Sequence, residues 1–250
     1  EGDTFRDLAG EQRQVFYATV DYDLTAQTLL RVGASYQDNQ PTASTWGGLP
    51  VWYADGSRTD WDRSKTTAAR WTAWDSTVEN YYLDLVHEFD NGWSAKLSLN
   101  NNINASDQRL LYLSGSPDRE TGLGMNASPR NAATEREQLS LSLHVDGEYA
   151  LFGRQHELTF GVVDHEEDNV ATSRSRTGVA PVGNFLTWDG SYPQPVWGAS
   201  NLDIDMTTEQ FGVYGATRLS LSDQFKVILG ARDADWEQRG SSYGVSRDFG

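Results

Sequence analysis

Side chains able to do acid–base or metal chemistry are plentiful in this chain, but nothing gathers them. The four histidines, His87, His144, His156 and His165, are scattered, and HExxH does not occur. That spacing would set two ligands on one helix face. "DHEED", residues 164–168, has the composition of a cation loop and reads better as an acidic loop start. "GLGMNASPRN" offers glycines but no lysine and no following helix to cradle a phosphate. His144 and Asp146 share the polar face of one strand and read as a cavity-lining pair rather than a catalytic dyad. The expectation is a protein that is not an enzyme and carries no cofactor or metal ligands of its own.

What the sequence does concentrate is aromatic rings. "ASTWGGLPVWYADGSRTDWDRS", residues 43–64, holds Trp46, Trp52, Tyr53 and Trp61 around a Gly-Gly-Leu-Pro turn, and Trp71 and Trp74 follow. Tyr112 lies in "LLYLSG", and Trp188 and Trp197 lie in "FLTWDGSYPQPVWGASN", which Pro193 and Pro195 stiffen. Flat aromatic faces bury large areas at little entropy cost and stack on planar organic groups. The same rings could equally pin their segments to one another.

Composition narrows the setting. A formal charge of −16 argues against nucleic acid, whose phosphates it would repel, and there is no basic stripe. Cysteine is absent, which excludes disulfides and thiolate metal sites. No apolar run is long enough for a transmembrane helix. The chain opens on EGDTFRD, with no signal peptide, and closes on SRDFG among loop-type residues, so it is expected to be a piece of something longer.

The elements that must carry the rings show themselves by alternation of period two. Leu139, Leu141, Leu143 and Val145 oppose Ser140, Ser142, His144 and Asp146; Trp93, Ala95, Leu97 and Leu99 oppose Ser94, Lys96, Ser98 and Asn100. About eight such strands are expected, near 15–23, 28–38, 77–89, 93–104, 136–149, 155–165, 207–220 and 225–238. Most reach roughly the nine to eleven residues that a tilted strand needs to cross a bilayer. Short links at 23–27, 90–92, 151–154 and 221–224 alternate with long segments at 39–76, 105–135 and 166–206. An up-and-down barrel with all short turns at one end has this rhythm. Tyr22, Phe89, Trp93, Tyr149, Phe152 and Phe225, near the short turns, fit an aromatic girdle. Asp164 and Asp233 resist, because both fall on the apolar register; a wet rim or a bulge could account for them.

"TWGGLPVWYADGSRTDWDRSKTTAARWTAWD" resembles a loop of TonB-dependent ferric-siderophore receptors, and most of all the ferric coprogen and ferripyoverdine receptors of Gram-negative bacteria. "VHEFDNGWSAKLSLN", "LLYLSGSPDRETGLG" and "LGARDADWEQ" resemble further segments of the same family, in order. The resemblance implies an all-β, antiparallel, up-and-down transmembrane β-barrel segment, about eight strands of a 22-stranded barrel. Residues 1–250 would then form a partial barrel domain, with the family's plug domain outside them. It also implies a ferric siderophore as transported ligand and the outer membrane of a Gram-negative bacterium as location. Its partners would be TonB, engaged through the plug, and outer-membrane lipid and lipopolysaccharide. Trp46, Trp52, Tyr53, Trp71, Trp74, Tyr112, Trp188 and Trp197 become the candidate ligand-binding residues, with Arg58 or Arg70 to answer anionic or carbonyl oxygens.

Two other architectures share the alternation. A soluble β-sandwich binding carbohydrate through exposed Trp and Tyr requires two packed sheets with the leucines between them. A small closed barrel of about eight strands, acting as an adhesin or structural protein, requires the first strand to pair with the last.

Overall fold

A computed structural model describes residues 2–250. The eight expected strands are all present, in order, as β2 (Gly10–Thr25), β3 (Thr28–Thr42), β4 (Ala73–Glu88), β5 (Ser94–Ser114), β6 (Asn126–Leu151), β7 (Arg154–Thr177), β8 (Val196–Ser220) and β9 (Lys226–Ser242). Two short strands flank them, β1 (Gly2–Asp3) and β10 (Val245–Phe249). Each strand pairs antiparallel with its sequence neighbours, giving one open ten-stranded sheet. Among the described residues there is no second sheet across the leucines, as a sandwich needs, and β2 does not close on β9, as a small barrel needs.

Burial reverses the pattern of a water-soluble sheet. On β6, Leu139, Leu141 and Leu143 are 45%, 45% and 41% exposed, whereas Gln138, Ser140, Ser142 and His144 between them are half-buried. The polar face is sheltered because its side chains bond across the strands. Asp21 takes both forks of Arg31, at 2.7 and 2.6 Å. Ser140 and His165 meet at 2.7 Å, and Gln138 donates to Glu167 at 2.6 Å. Two tyrosines act as struts. Tyr82 of β4 lies across Gly33 of β3 to reach Thr19 and Tyr17 of β2, at 3.1 Å each. Tyr214 of β8 lies across Gly161 of β7 to reach His144 of β6 at 2.8 Å. A Cβ on either glycine would occupy the space of the ring.

The strands outrun the expected segments. β6 has 26 residues, about 85 Å of chain at 3.3 Å per residue, against a hydrocarbon core of about 30 Å. Nearly all the excess lies at the long-loop end, so the loops shrink to 43–72, 115–125 and 178–195. Alternation fades there because neither face is wetted by lipid, yet the backbone ladder continues. "DHEED" is therefore mid-strand in β7 and not a loop start.

Pairing also resolves Asp164 and Asp233. The β7–β8 ladder is unbroken from Glu157 to Ala171 and the β8–β9 ladder from Ile204 to Ser220, so no bulge turns either residue. Both stand on the leucine face: the rung of Tyr22 runs through Leu30, Leu85, Leu97, Leu143, Val162 and Val213 to Asp233. Barrel strands tilt by roughly 35–45° and lie about 4.8 Å apart, so a membrane plane slips about one residue per strand toward the turns. By β9 it has slipped about seven or eight residues, leaving Val227, Leu229 and Ala231 in the apolar band and Asp233 above it.

At the short-turn end Phe152 and Gly153 make a two-residue turn with φ of 51° and 75°, the left-handed pair that hairpins of this length use. Phe152 is almost wholly exposed at the tip, with Phe225, Phe89 and Tyr22 also outside. Placing Arg at Leu143 in the full-length protein is expected to cost about 2–4 kcal/mol of folding free energy in a bilayer, and Arg at Ser142 far less. Urea midpoints for refolding into lipid vesicles measure both.

Candidate functional site

The long-loop end carries what little hydrophobic core these residues have. Phe185 is fully buried, packed with Ala69, Leu111, Leu113, Met125 and Tyr192, and Leu49, Trp61, Trp71, Val182 and Trp188 close around it. All three loops contribute. The indole of Trp71 donates to the Tyr192 carbonyl at 2.9 Å, and that of Trp188 to the Ala68 carbonyl at 2.9 Å. Backbone bonds join Arg70 to Gly190 at 2.8 Å and Phe185 to Gly122 at 2.9 Å. Lys65 donates to the Leu186 carbonyl at 3.1 Å with its ammonium 5.1 Å from the Phe185 ring centre. Burial pushes that lysine below its ordinary range. The cap is one interlocked body.

Short Asx turns hold its outer surface. Asp55 accepts from the Ser57 hydroxyl and amide, Asp62 from Ser64, Asp118 from Thr121 and Glu120, and Asp189 from Ser191. These bonds favour the ionised form and hold all four carboxyls below the usual range: the Ser57 and Ser191 side chains lead at Asp55 and Asp189, backbone amides at Asp62 and Asp118.

Strand alternation then divides the candidate rings. On β5, Leu111 and Leu113 point into the cap core, so Tyr112 points to the opposite, polar face. Trp74 of β4, paired with Gln108, shares that face. Tyr112 is 41% exposed and Trp74 42% exposed. Trp46 stands edge-on to Tyr112 at 5.6 Å, where its backbone bridges to Tyr112 beyond the end of β4. Trp46 and Tyr112 thus form a contact pair, and Trp74 stands on the same polar side as Tyr112. Trp71 and Trp188 belong to the cap instead, and Trp197 packs on Trp71 at 6.3 Å. Tyr53 packs on Trp61 at 5.7 Å, with Arg119 5.8 Å from its ring centre. Trp52, 54% exposed, projects from a small hairpin pinned by its bridge to Arg58. Arg70 lines a cleft of about 650 Å³ with Trp71, Asp75 and Arg109.

Sequence reasoning passed over Phe185, Tyr192 and Lys65, which hold the cap together. They sit in stretches without periodicity, and only the proximity of the aromatic pair to Trp188 could have flagged them.

An open sheet with its leucines outward, long strands and a capped end is matched by a family model described as "TonB dependent receptor-like, beta-barrel" over residues 6–249. The chain belongs to this TonB-dependent receptor family. It is 31% identical over 244 residues to the ferripyoverdine receptor of Pseudomonas aeruginosa, covering 95% of this chain and 29% of that protein. To the ferric-pyoverdine BN7/BN8 receptor of Pseudomonas putida it is 30% identical over 244 residues, covering 93% and 29%. A crystal structure of the outer-membrane ferripyoverdine receptor of P. aeruginosa bound to ferripyoverdine superposes with a TM-score of 0.91 at 28% identity, over 99% of this chain and 33% of that one. The chain thus spans about three-tenths of the length of the curated relatives it matches. The family's barrel architecture accounts for both faces of the sheet: leucines toward lipid, polar ladder toward the lumen.

Replacing Phe185 with Ala is expected to cost about 3–5 kcal/mol locally and to raise amide hydrogen exchange in all three loops together, since they share one core. Acid should loosen the same cap. The four aspartates have depressed folded pKa values, so their stabilisation is complete above the ordinary carboxylate value of about 4 and is lost as pH falls through the folded values. Near-ultraviolet circular dichroism of the packed indoles should therefore hold from pH 7 to about 4 and decline below it.

Proposed function

We propose that this chain is one part of the wall and mouth of an outer-membrane receptor that takes up ferric siderophores in a Gram-negative bacterium. The observation that carries the reading is the inverted sheet, leucines outward and polar ladder inward, surmounted by a rigid cap with Trp46, Trp74 and Tyr112 on the lumen side. A sheet with open edges cannot stand alone in hydrocarbon, because every backbone group there must be paired. We therefore read residues 1–250 as a partial barrel domain completed by further strands, with a plug domain elsewhere in the full-length protein.

The iron of a ferric siderophore is already fully ligated, so the receptor supplies surface rather than metal ligands. Rings held on one side and open on the other bury the organic shell of the chelate with little rotamer entropy left to lose. Lipid and lipopolysaccharide would bathe the leucine face. Energy for passage would come through TonB, engaged by the plug. The relatives' names point to a pyoverdine-type chelate, and the work is binding and transport rather than catalysis.

Trp46→Ala and Trp74→Ala, made together in the full-length receptor, are expected to weaken ferripyoverdine binding by at least tenfold, about 1.4 kcal/mol, with folding intact. Titration followed by tryptophan quenching measures it. Unchanged affinity would remove both rings from the site.

A further inference from the structure

We propose that Gly47 is a positioning residue for ligand capture, acting through Tyr112. The inference rests on the functional reading above and concerns how one of its rings is aimed. Gly47 has a φ of 95°, in the left-handed region, and directly follows Trp46, whose backbone bridges to Tyr112. A Cβ built on Gly47 would lie 2.6 and 2.8 Å from two carbons of the Tyr112 ring, Cε2 and Cδ2. No real Cβ tolerates that approach, so the ring lies against bare backbone. Trp46 meets Tyr112 from another side at 5.6 Å, in an edge contact with 62° between the planes.

The phenol is thus held by the Gly47 main chain and by an indole, and it is still 41% exposed on the polar side of β5. A ring fixed by such contacts and free on its remaining surface is a pre-set stacking platform for a flat conjugated part of a chelate shell. Gly48, the second glycine of the pair, has nothing within 4 Å of its would-be Cβ. The two adjacent glycines therefore differ, and only the first is required by Tyr112.

The test uses the full-length receptor purified in detergent and titrated with ferripyoverdine. Wild type is compared with Gly47→Ala, Gly48→Ala, Tyr112→Ala and the Gly47→Ala/Tyr112→Ala double variant. Gly47→Ala is expected to weaken binding about tenfold and Gly48→Ala to leave it unchanged. The double variant should bind no more weakly than Tyr112→Ala alone, because the glycine acts only through the ring. Gly47→Asn separates strain from contact: Asn tolerates the left-handed region but brings the same Cβ, so it should lose binding as Ala does. Additive losses in the double variant, or full affinity in Gly47→Asn, would overturn the proposal. If ferripyoverdine does not bind wild type, the ligand reading fails by itself. Crystal structures of wild type and Gly47→Asn then decide the positioning role: a Tyr112 ring displaced from Trp46 supports it, and an unmoved ring sinks it.

Discussion

Everything in this protein depends on a sheet that satisfies its backbone internally while turning its leucines outward. Water would not permit that arrangement over so wide a face, since leucines at more than 40% exposure would drive association. Hydrocarbon permits it, provided that every backbone donor and acceptor on the ladder is paired. The registers from β2 to β9, which shift only between Asp23 and Thr25 and beyond Ala171 in β7, meet that condition in the interior of the sheet. The polar side chains then have one place to go, the opposite face, where arginine–aspartate and serine–histidine contacts tie neighbouring strands and the tyrosine struts tie three strands at a time.

The second constraint is the cap. A barrel wall has no core of its own, so loops at its mouth hold still only by building one. Phe185 supplies the centre, and the indoles of Trp71 and Trp188 supply the latches, each giving its N–H to a carbonyl on another loop. This leaves fewer rings free than the aromatic content implies, and it fixes those that remain. Rings packed on such a base have little conformational entropy left to lose.

The strand centres were legible because the lipid-facing band imposes period two on residues such as Leu139–Leu143 and Leu97–Leu99. The strand ends were not. Above the band both faces are wet or loop-covered, so "NASPRNAAT" and "ATSRSRT" carry no alternation although the ladder runs through them. Asp164 and Asp233 looked anomalous for a related reason: on a single strand the apolar register has no depth, and depth appears only when rungs are followed across tilted neighbours. The family was legible from ordered local strings such as "WGGLP" and "DNGW".

By itself, then, the sequence determined the class of fold, the order of the strands, the end at which the long connections lie and the solvent that must meet the leucines. These follow from local periodicity and from turn chemistry that each short segment carries alone. Only the tertiary structure decided which rings face the lumen and which are spent inside the cap. That choice depends on contacts such as Trp71 with Tyr192 and Trp188 with Ala68, about 120 residues apart in the chain, and on which face of β5 carries Tyr112. No local pattern encodes either one.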